Sequence, residues 1–399
     1  MNTPYFLFIK QEVTDEMKTL YENLVTFSKK YGSFTKANGL TLNICKNIVK
    51  EDLNFLNGDL EEKLNTWEQI IVIRHDHFGK IEHYFSTIRL GCSQTGLYND
   101  SLLRDYEVKA YNAVNLLARS IWNCYEDAEF PGLIVFGGEK YRTVPQFKLI
   151  TFPSVDEMRT LYQGILGHEI AHLVIAERGL REEFYEEKSL DASSYLKHWE
   201  WELLADTLGT LTIGPALTYA FFASGFPILP ILTIESKYGN HFCANILWHP
   251  PDEIRIPLQI NILEILGITD SGDNCIISWM KNLQKTMNQF EPEELKHEFE
   301  KLKEKLYLIF EIYKKKLKKL LYEARTIVKE EYSYQKHKQA CELADSLSED
   351  FQRFRIPIET DPIIVLNALC LIKIRKQLDH KEISSKFIDY ILQKNKRGI

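Results

Sequence analysis

The sequence predicts an α+β protein that is mostly helical, with a small sheet near the middle of the chain. Three observations support this class. Apolar residues recur at helical spacing before residue 130, the same spacing returns after residue 270, and short β-rich runs bounded by glycine and proline follow Pro131. These patterns divide the chain into a helical N-terminal lobe (1–130), a central α+β lobe (131–270) and a helical C-terminal region (271–399).

The composition is that of a globular protein. The chain has 399 residues, of which 45% are hydrophobic and 26% are charged, so it can bury a substantial core. Its net charge of -7 argues against nucleic acid as a partner. Seven scattered cysteines without a Cys-x-x-Cys pair predict reduced thiols, and the N-terminus does not resemble a signal peptide. We therefore expect a cytoplasmic protein, whose oligomeric state these patterns do not fix.

In the N-terminal lobe, helical periods run through residues 14–29 and 106–125. Three histidines, His75, His77 and His83, lie close together in the sequence and raise the alternative of a second metal site. No strand or helix pattern brings their side chains to one point, so we do not favour a second metal site there.

The central lobe begins with two predicted strands. Residues 132–138 are an apolar run that ends in a glycine turn, and Gln146 to Phe152 is a β-rich run stopped by Pro153. We expect the run 146–152 to be an edge strand, whose free backbone groups can pair with an extended peptide. A helix is predicted to start at Ser154 and to continue to Glu177.

A second central helix is predicted over residues 194–208. It leads into an uncharged stretch, 207–234, which is long enough to raise the alternative of a membrane span. Glycines and prolines from Gly209 to Pro230 interrupt this stretch, so we favour a buried core segment. A Pro-Pro turn at 250–251 then leads into a helix over residues 258–266.

The C-terminal region is predicted to be helical throughout. Pro292 starts a long amphipathic helix that continues to Ile327, and two further helices are expected over residues 361–377 and 381–394. The basic run 314–319 can bind an acidic partner or lipid headgroups, but such runs on long helices are usually solvated, which is our interpretation.

Two of the central helices carry a metal-ligand pattern. His168 and His172 are four residues apart and lie on one helix face, and Glu169 borders the same space. A catalytic zinc requires three protein ligands and an open position, and Glu202 on the next helix is the candidate for the third ligand. His198 shares the face of Glu202 and is a rival ligand. A chance motif with half-buried histidines is the alternative to a metal site.

Residues around the three candidate ligands have predicted supporting roles. Glu169 is expected to take a proton from a zinc-activated water, as a general base. Asp206, four residues after Glu202, is expected to accept a hydrogen bond from a histidine ligand, with an exposed helix aspartate as the alternative. His241 and Tyr219 are minor candidates for a role at the site.

The pattern His168-Glu169-x-x-His172 followed by Glu202-x-x-x-Asp206 resembles the gluzincin class of zinc metallopeptidases. The His249-Pro250 step and Arg255 are similar to the HtpX and CAAX prenyl protease branch, and the resemblance covers residues 144–256. It implies a zincin-like lobe that binds one Zn²⁺, with His249 as a donor to the transition-state oxyanion. Arg255 is expected to hold the Glu202 or Asp206 carboxylate or to bind substrate, and a surface arginine is the alternative.

Members of that branch span the membrane several times, whereas this sequence has one doubtful segment. The resemblance therefore predicts a soluble relative that hydrolyses a cytosolic protein or peptide. Two other classes stay open. One is a zinc-containing regulatory or defence-type protein without general peptidase activity, and the other is a scaffold in which the motif is accidental.

Overall fold

The structure is a computed structural model, in which two features dominate: long helices and a small sheet. The residues that it describes are 2–31, 36–81, 101–127, 129–138, 142–153, 160–180, 194–224, 250, 252–268, 276–287, 289, 307, 311, 314–315 and 317–396. All structural statements below refer to this part of the chain.

Helices form most of the described chain, as expected. Those in the N-terminal part are α1 (Pro4–Tyr31), α2 (Lys36–Leu56), α3 (Leu64–Ile71), which continues as a π-helix over Val72–Phe78, and α4 (Ser101–Asn123). The central helices are α5 (Leu166–Glu177), α6 (Ser194–Ile213), α7 (Pro215–Ser224) and α8 (Asp252–Ile265). The later ones are α9 (Ile276–Met287), α10 (Tyr334–Glu349), α11 (Pro362–Lys376) and α12 (His380–Lys396).

The sheet has three described strands, β1 (Leu133–Gly138), β2 (Arg142–Val144) and β3 (Leu149–Pro153), in the order β1-β3-β2. β1 runs parallel to β3, and β2 pairs antiparallel with β3. The two predicted β-rich runs therefore both enter the sheet. The α+β, mostly helical class predicted from the sequence is confirmed.

The expectation that residues 146–152 form the edge strand is wrong. Pro145–Phe147 form a 3-10 turn, and Lys148 has a left-handed backbone with a φ of 50°. The strand starts only at Leu149 and lies in the centre of the sheet. The edge nearest α5 is instead β2, three residues long, because the turn at 145–148 folds β2 back against β3.

Two predicted helix boundaries also change. Residues 154–159 lie outside the described part, and residues Thr160–Ile165 form a 3-10 helix before α5 begins at Leu166. The predicted interruption at Gly209 is wrong, since α6 continues through it to Ile213.

Gly209 is required by close helix packing rather than by a chain break. A Cβ atom added at Gly209 would lie 2.9 Å from the carbonyl carbon of Gly167 and 3.0 Å from the backbone nitrogen of His168. Real Cβ atoms do not approach backbone that closely, so glycine lets the α5 and α6 backbones come together. This approach places the face of α5 that carries His168 against α6.

The uncharged stretch is a buried core segment over the residues described. Its described part comprises the end of α6 and all of α7, and nearly every side chain there is buried. In the described part of the chain, no helix combines the length and apolar character needed to cross a membrane. The rest of the stretch, 225–234, lies outside that part, as does most of the predicted helix 292–327, of which 317–327 is helical.

A buried polar network ties α1 to the C-terminal helices. Glu12 Oε2 lies 2.9 Å from His380 Nε2 and accepts a hydrogen bond of 2.9 Å from the Tyr162 hydroxyl. Lys373 Nζ lies 2.9 Å from Asp15 Oδ2 and 3.6 Å from Glu12 Oε1. Burial acts to raise the pKa of Glu12, but His380 and Lys373 outweigh it and hold that pKa well below its ordinary value of 4.5.

The same network reaches the π-helix and α7. Arg74 Nη2 donates to Glu16 Oε1 at 2.6 Å and also to the carbonyl oxygen of Ala223. Tyr219 donates to Glu12 Oε1 at 3.2 Å. Apolar side chains from the N-terminal, central and C-terminal helices pack around these groups in one continuous core.

Candidate metal centre

Helix α5 presents two imidazoles at one point. His168 and His172 are separated by one helical turn, and their Nε2 atoms lie 3.0 Å apart. The rings meet edge to face, with centroids 4.5 Å apart. Two nitrogen atoms this close are stabilised when a shared cation or a proton lies between them.

Helix α6 supplies a carboxylate to the same point. Glu202 Oε2 lies 3.1 Å from His168 Nε2, and Glu202 Oε1 lies 3.4 Å from His172 Nε2. Donor atoms bound to zinc at the usual 2.0–2.1 Å in a tetrahedron are about 3.3 Å apart. The donor atoms of His168, His172 and Glu202 therefore lie close enough together to hold one metal ion, and they are the group of metal-ligating side chains that the described residues bring together.

Asp206 and Arg255 form a buried pair that contacts the Nδ1 side of the His168 ring. Asp206 is fully buried, and its Oδ1 lies 2.9 Å from His168 Nδ1. Arg255 donates to both oxygens of Asp206, from Nε and Nη2, each at 2.8 Å. Its Nη2 is also 3.7 Å from Glu202 Oε2. Arg255 is itself buried, so the alternatives of an exposed Asp206 and of a surface arginine do not match the structure.

The contact with Asp206 sets the orientation of the first imidazole. A proton on His168 Nδ1 can be donated to Asp206, which directs the Nε2 lone pair toward Glu202 and His172. Burial lowers the pKa of His168, but Asp206 and then Glu202 outweigh burial and raise it to about 9. A metal ion at this point would therefore compete with a proton on His168.

The charges at the site favour a divalent cation. Burial raises the pKa of Asp206, but Arg255 and His168 outweigh burial and lower it, so this residue is an anion paired with the guanidinium. If both imidazoles are neutral, as they must be to bind a metal, the charges of Asp206 and Arg255 cancel. The carboxylates of Glu202 and Glu169 then give the site two negative charges. Since these groups are at least partly buried, a bound cation would stabilise them.

Access to the site is from the side of His172. The His172 side chain is 21% exposed, compared with 6% for His168 and 12% for Glu202. Phe221 of α7 packs on the buried part of the site, since its ring lies 4.2 Å from the Arg255 guanidinium carbon and meets His168 edge to face. A ligand can therefore approach the three donors from the more exposed side of α5.

Glu169 is the residue after His168 in α5, and its side chain is held by the sheet. It is buried, and its Oε2 accepts a hydrogen bond of 2.6 Å from the Thr143 hydroxyl of β2. The same hydroxyl lies 2.9 Å from the main-chain oxygen of Glu169. Glu169 follows His168 directly in α5 and does not belong to the donor cluster of the described residues.

Several other candidates are not brought to this site. Tyr219 donates to Glu12 in the buried polar network, and His77 Nδ1 lies 2.9 Å from Asp52 Oδ2. His83, His241 and His249 lie outside the described residues, as do the side chains of His75 and His198. The predicted oxyanion donor and the rival ligand therefore stay predictions.

The sequence did not single out two residues that shape the site, Thr143 and Phe221. Thr143 precedes the run 146–152 that the sequence predicts to be a strand, and no motif marks its hydroxyl as a partner of Glu169. Phe221 belongs to an apolar segment in which every side chain is equally suited to the core. Only the packing of α7 against α8 distinguishes its ring.

In comparisons with known proteins, no family model, no curated protein and no solved structure matches this chain.

Proposed function

We propose that this protein is a zinc-dependent metallopeptidase that hydrolyses peptide bonds of a cytosolic protein or peptide. The proposal rests on one observation above all. His168, His172 and Glu202 meet at one point in an arrangement suited to zinc, and Glu169, the neighbour of His168 in α5, is held by Thr143. In this interpretation the sheet with α5 and α6 is a zincin-like lobe of the gluzincin type.

Zinc is the metal that this donor set favours. Two imidazole nitrogens and one carboxylate are its usual catalytic ligands, whereas calcium and magnesium prefer oxygen ligands alone. Bound to His168, His172 and Glu202, zinc would supply a Lewis acid that polarises a peptide carbonyl and lowers the pKa of a water molecule.

Residues of the protein itself transfer the proton and orient the first imidazole. Glu169 takes a proton from the attacking water and returns it to the leaving amine. Its Oε2 is occupied by Thr143, so Oε1 is the atom that carries this proton. Asp206, clamped by Arg255, keeps His168 in the tautomer that leaves Nε2 free.

The substrate is proposed to pair with β2. This strand is an edge of the described sheet and packs beside α5, so its outer backbone groups can bind an extended peptide by strand addition. Pairing with the main chain orients the scissile bond without demanding a particular side chain. This replaces residues 146–152 as the proposed docking strand.

Metal analysis tests the ligand assignment first. The purified wild type should contain one zinc per chain, and His172→Ala and Glu202→Ala should each lose most of it. Glu169→Gln should keep the metal, because Glu169 is outside the ligand set. Full occupancy in both ligand variants would refute the assignment.

Hydrolysis tests the activity. A peptide library or cytosolic extract should be cleaved by the wild type, with a loss on the order of 100-fold or more in Glu169→Gln. If the wild type contains zinc but cleaves nothing, the site belongs to a regulatory or defence-type protein. If it contains no zinc under any loading condition, the scaffold interpretation holds.

A further inference from the structure

We infer that Thr143 is a positioning residue for Glu169, and that it links the orientation of this base to the strand on which the substrate pairs. The inference rests on the proposed peptidase function. Its structural basis is the hydroxyl of Thr143, which contacts Glu169 at two atoms, Oε2 at 2.6 Å and the main-chain oxygen at 2.9 Å.

These two contacts restrict the Glu169 side chain. A glutamate has three rotatable side-chain bonds, and free rotation would move its carboxylate by several ångströms. The hydroxyl bridges the carboxylate and the backbone of the same residue, so it fixes the end of the side chain relative to the start of α5. One carboxylate oxygen is thereby occupied, and the other is left for the reacting proton.

The position of Thr143 is set in turn by the sheet. It pairs with Ile150 of β3 in antiparallel register, and Ile150 is fully buried. Arg142 and Val144, on either side, pair with Thr151 and Leu149. The base is therefore attached to an edge strand rather than only to its own helix. A peptide added to β2 would order this short strand further and with it the Glu169 carboxylate.

Kinetics of the zinc-loaded enzyme test this role. Thr143→Val keeps the size and β-branching of the side chain but removes the hydroxyl. It should lower kcat on the order of 10-fold and leave KM within about 2-fold, because the base is misplaced while strand pairing is kept. Thr143→Ser restores the hydroxyl and should recover most of kcat. Thr326→Val makes the same change at an exposed helical position, where the hydroxyl donates to the Glu323 carbonyl oxygen, and should match the wild type.

A second measurement does not depend on activity. In metal-free protein, Thr143→Val should lower the urea midpoint of unfolding, because Glu169 loses its donor. In a Glu169→Met background the hydroxyl can still donate to the main-chain oxygen of residue 169, so the same change should shift the midpoint less, because a neutral rather than a charge-assisted hydrogen bond is lost. Equal shifts in the two backgrounds would show that the hydroxyl does not hold the carboxylate, and would overturn the inference.

The two experiments distinguish failure of the positioning role from failure of the peptidase proposal. If the wild type cleaves peptides and Thr143→Val has the same kcat, the positioning role is wrong and the peptidase proposal stands. If the wild type cleaves nothing, the peptidase proposal fails and the catalytic role of Thr143 fails with it, while the midpoints still decide whether the contact exists.

Discussion

Replacing Arg255 with methionine should destabilise the metal-free protein strongly. Arg255 is buried and is the cation that faces Asp206, which is fully buried on α6. Methionine has a similar length and can still pack on the Phe221 ring, so the substitution removes mainly the charge and its donors. The Asp206 carboxylate then stays in the core with His168 as its remaining charged neighbour.

The magnitude follows from the two hydrogen bonds that are lost. Both are 2.8 Å long and join charged groups, and each such bond contributes about 1.5–3 kcal/mol. Breaking a buried pair from one side typically costs about 3–5 kcal/mol, because the other charge is left without compensation. We therefore expect the free energy of unfolding to fall by about 3–5 kcal/mol for Arg255→Met.

Urea unfolding at pH 7 in the presence of a chelator measures this loss. Arg325→Met is the matched control, since Arg325 also contacts both oxygens of one carboxylate, that of Glu331, but on the surface. Its loss should stay within about 1 kcal/mol. A loss of that size for Arg255→Met would refute the reasoning that the Asp206 pair depends on burial. Adding Asp206→Leu to Arg255→Met should recover part of the stability, because the uncompensated charge is then gone.

Two further predictions concern the packing and the polar network. Gly209→Ala should cost about 1–3 kcal/mol and weaken zinc binding, because the added methyl group separates α5 from α6. Gly79→Ala, where an added Cβ meets nothing within 4 Å, should be neutral or slightly stabilising in the same urea and zinc titrations. Because the pKa of Glu12 is lowered, its ionised form stabilises the fold above its ordinary pKa of 4.5, and this contribution is lost as the pH falls. Glu12→Gln should therefore be less stable than the wild type at pH 7, and the difference should shrink as the pH falls below 4.5, whereas a difference that stays constant below that pH would contradict the argument.

The candidate site could be predicted from sequence where its geometry is local. Two histidines four residues apart share a face in any α-helix, so the imidazole pair followed from the period of the helix alone. The Glu202-to-Asp206 spacing fixed a second shared face in the same way. The two faces can meet only because Gly167 and Gly209 let the backbones of α5 and α6 approach closely. No periodic pattern in the sequence indicates this role of the two glycines.

The sheet shows the opposite case. Composition identified both β-rich runs, but the order of strands depends on one residue with an unusual backbone, Lys148, which ends the 3-10 turn. A left-handed lysine is not expected from its residue type. The edge strand β2 is only three residues long, too short for an alternating pattern to reveal it, and the contact of Thr143 with Glu169 was therefore missed.

The ion pairs between the first helix and the last two affect which parts of the chain can be shortened. Removing α12 would take away His380. Lys373 would then be the remaining cationic partner of both Glu12 and Asp15, so one buried negative charge would lack compensation. Removing α1 would leave the buried Lys373 ammonium group without its two carboxylate partners. Trimming either terminus should thus yield an insoluble or protease-sensitive product instead of a smaller stable unit.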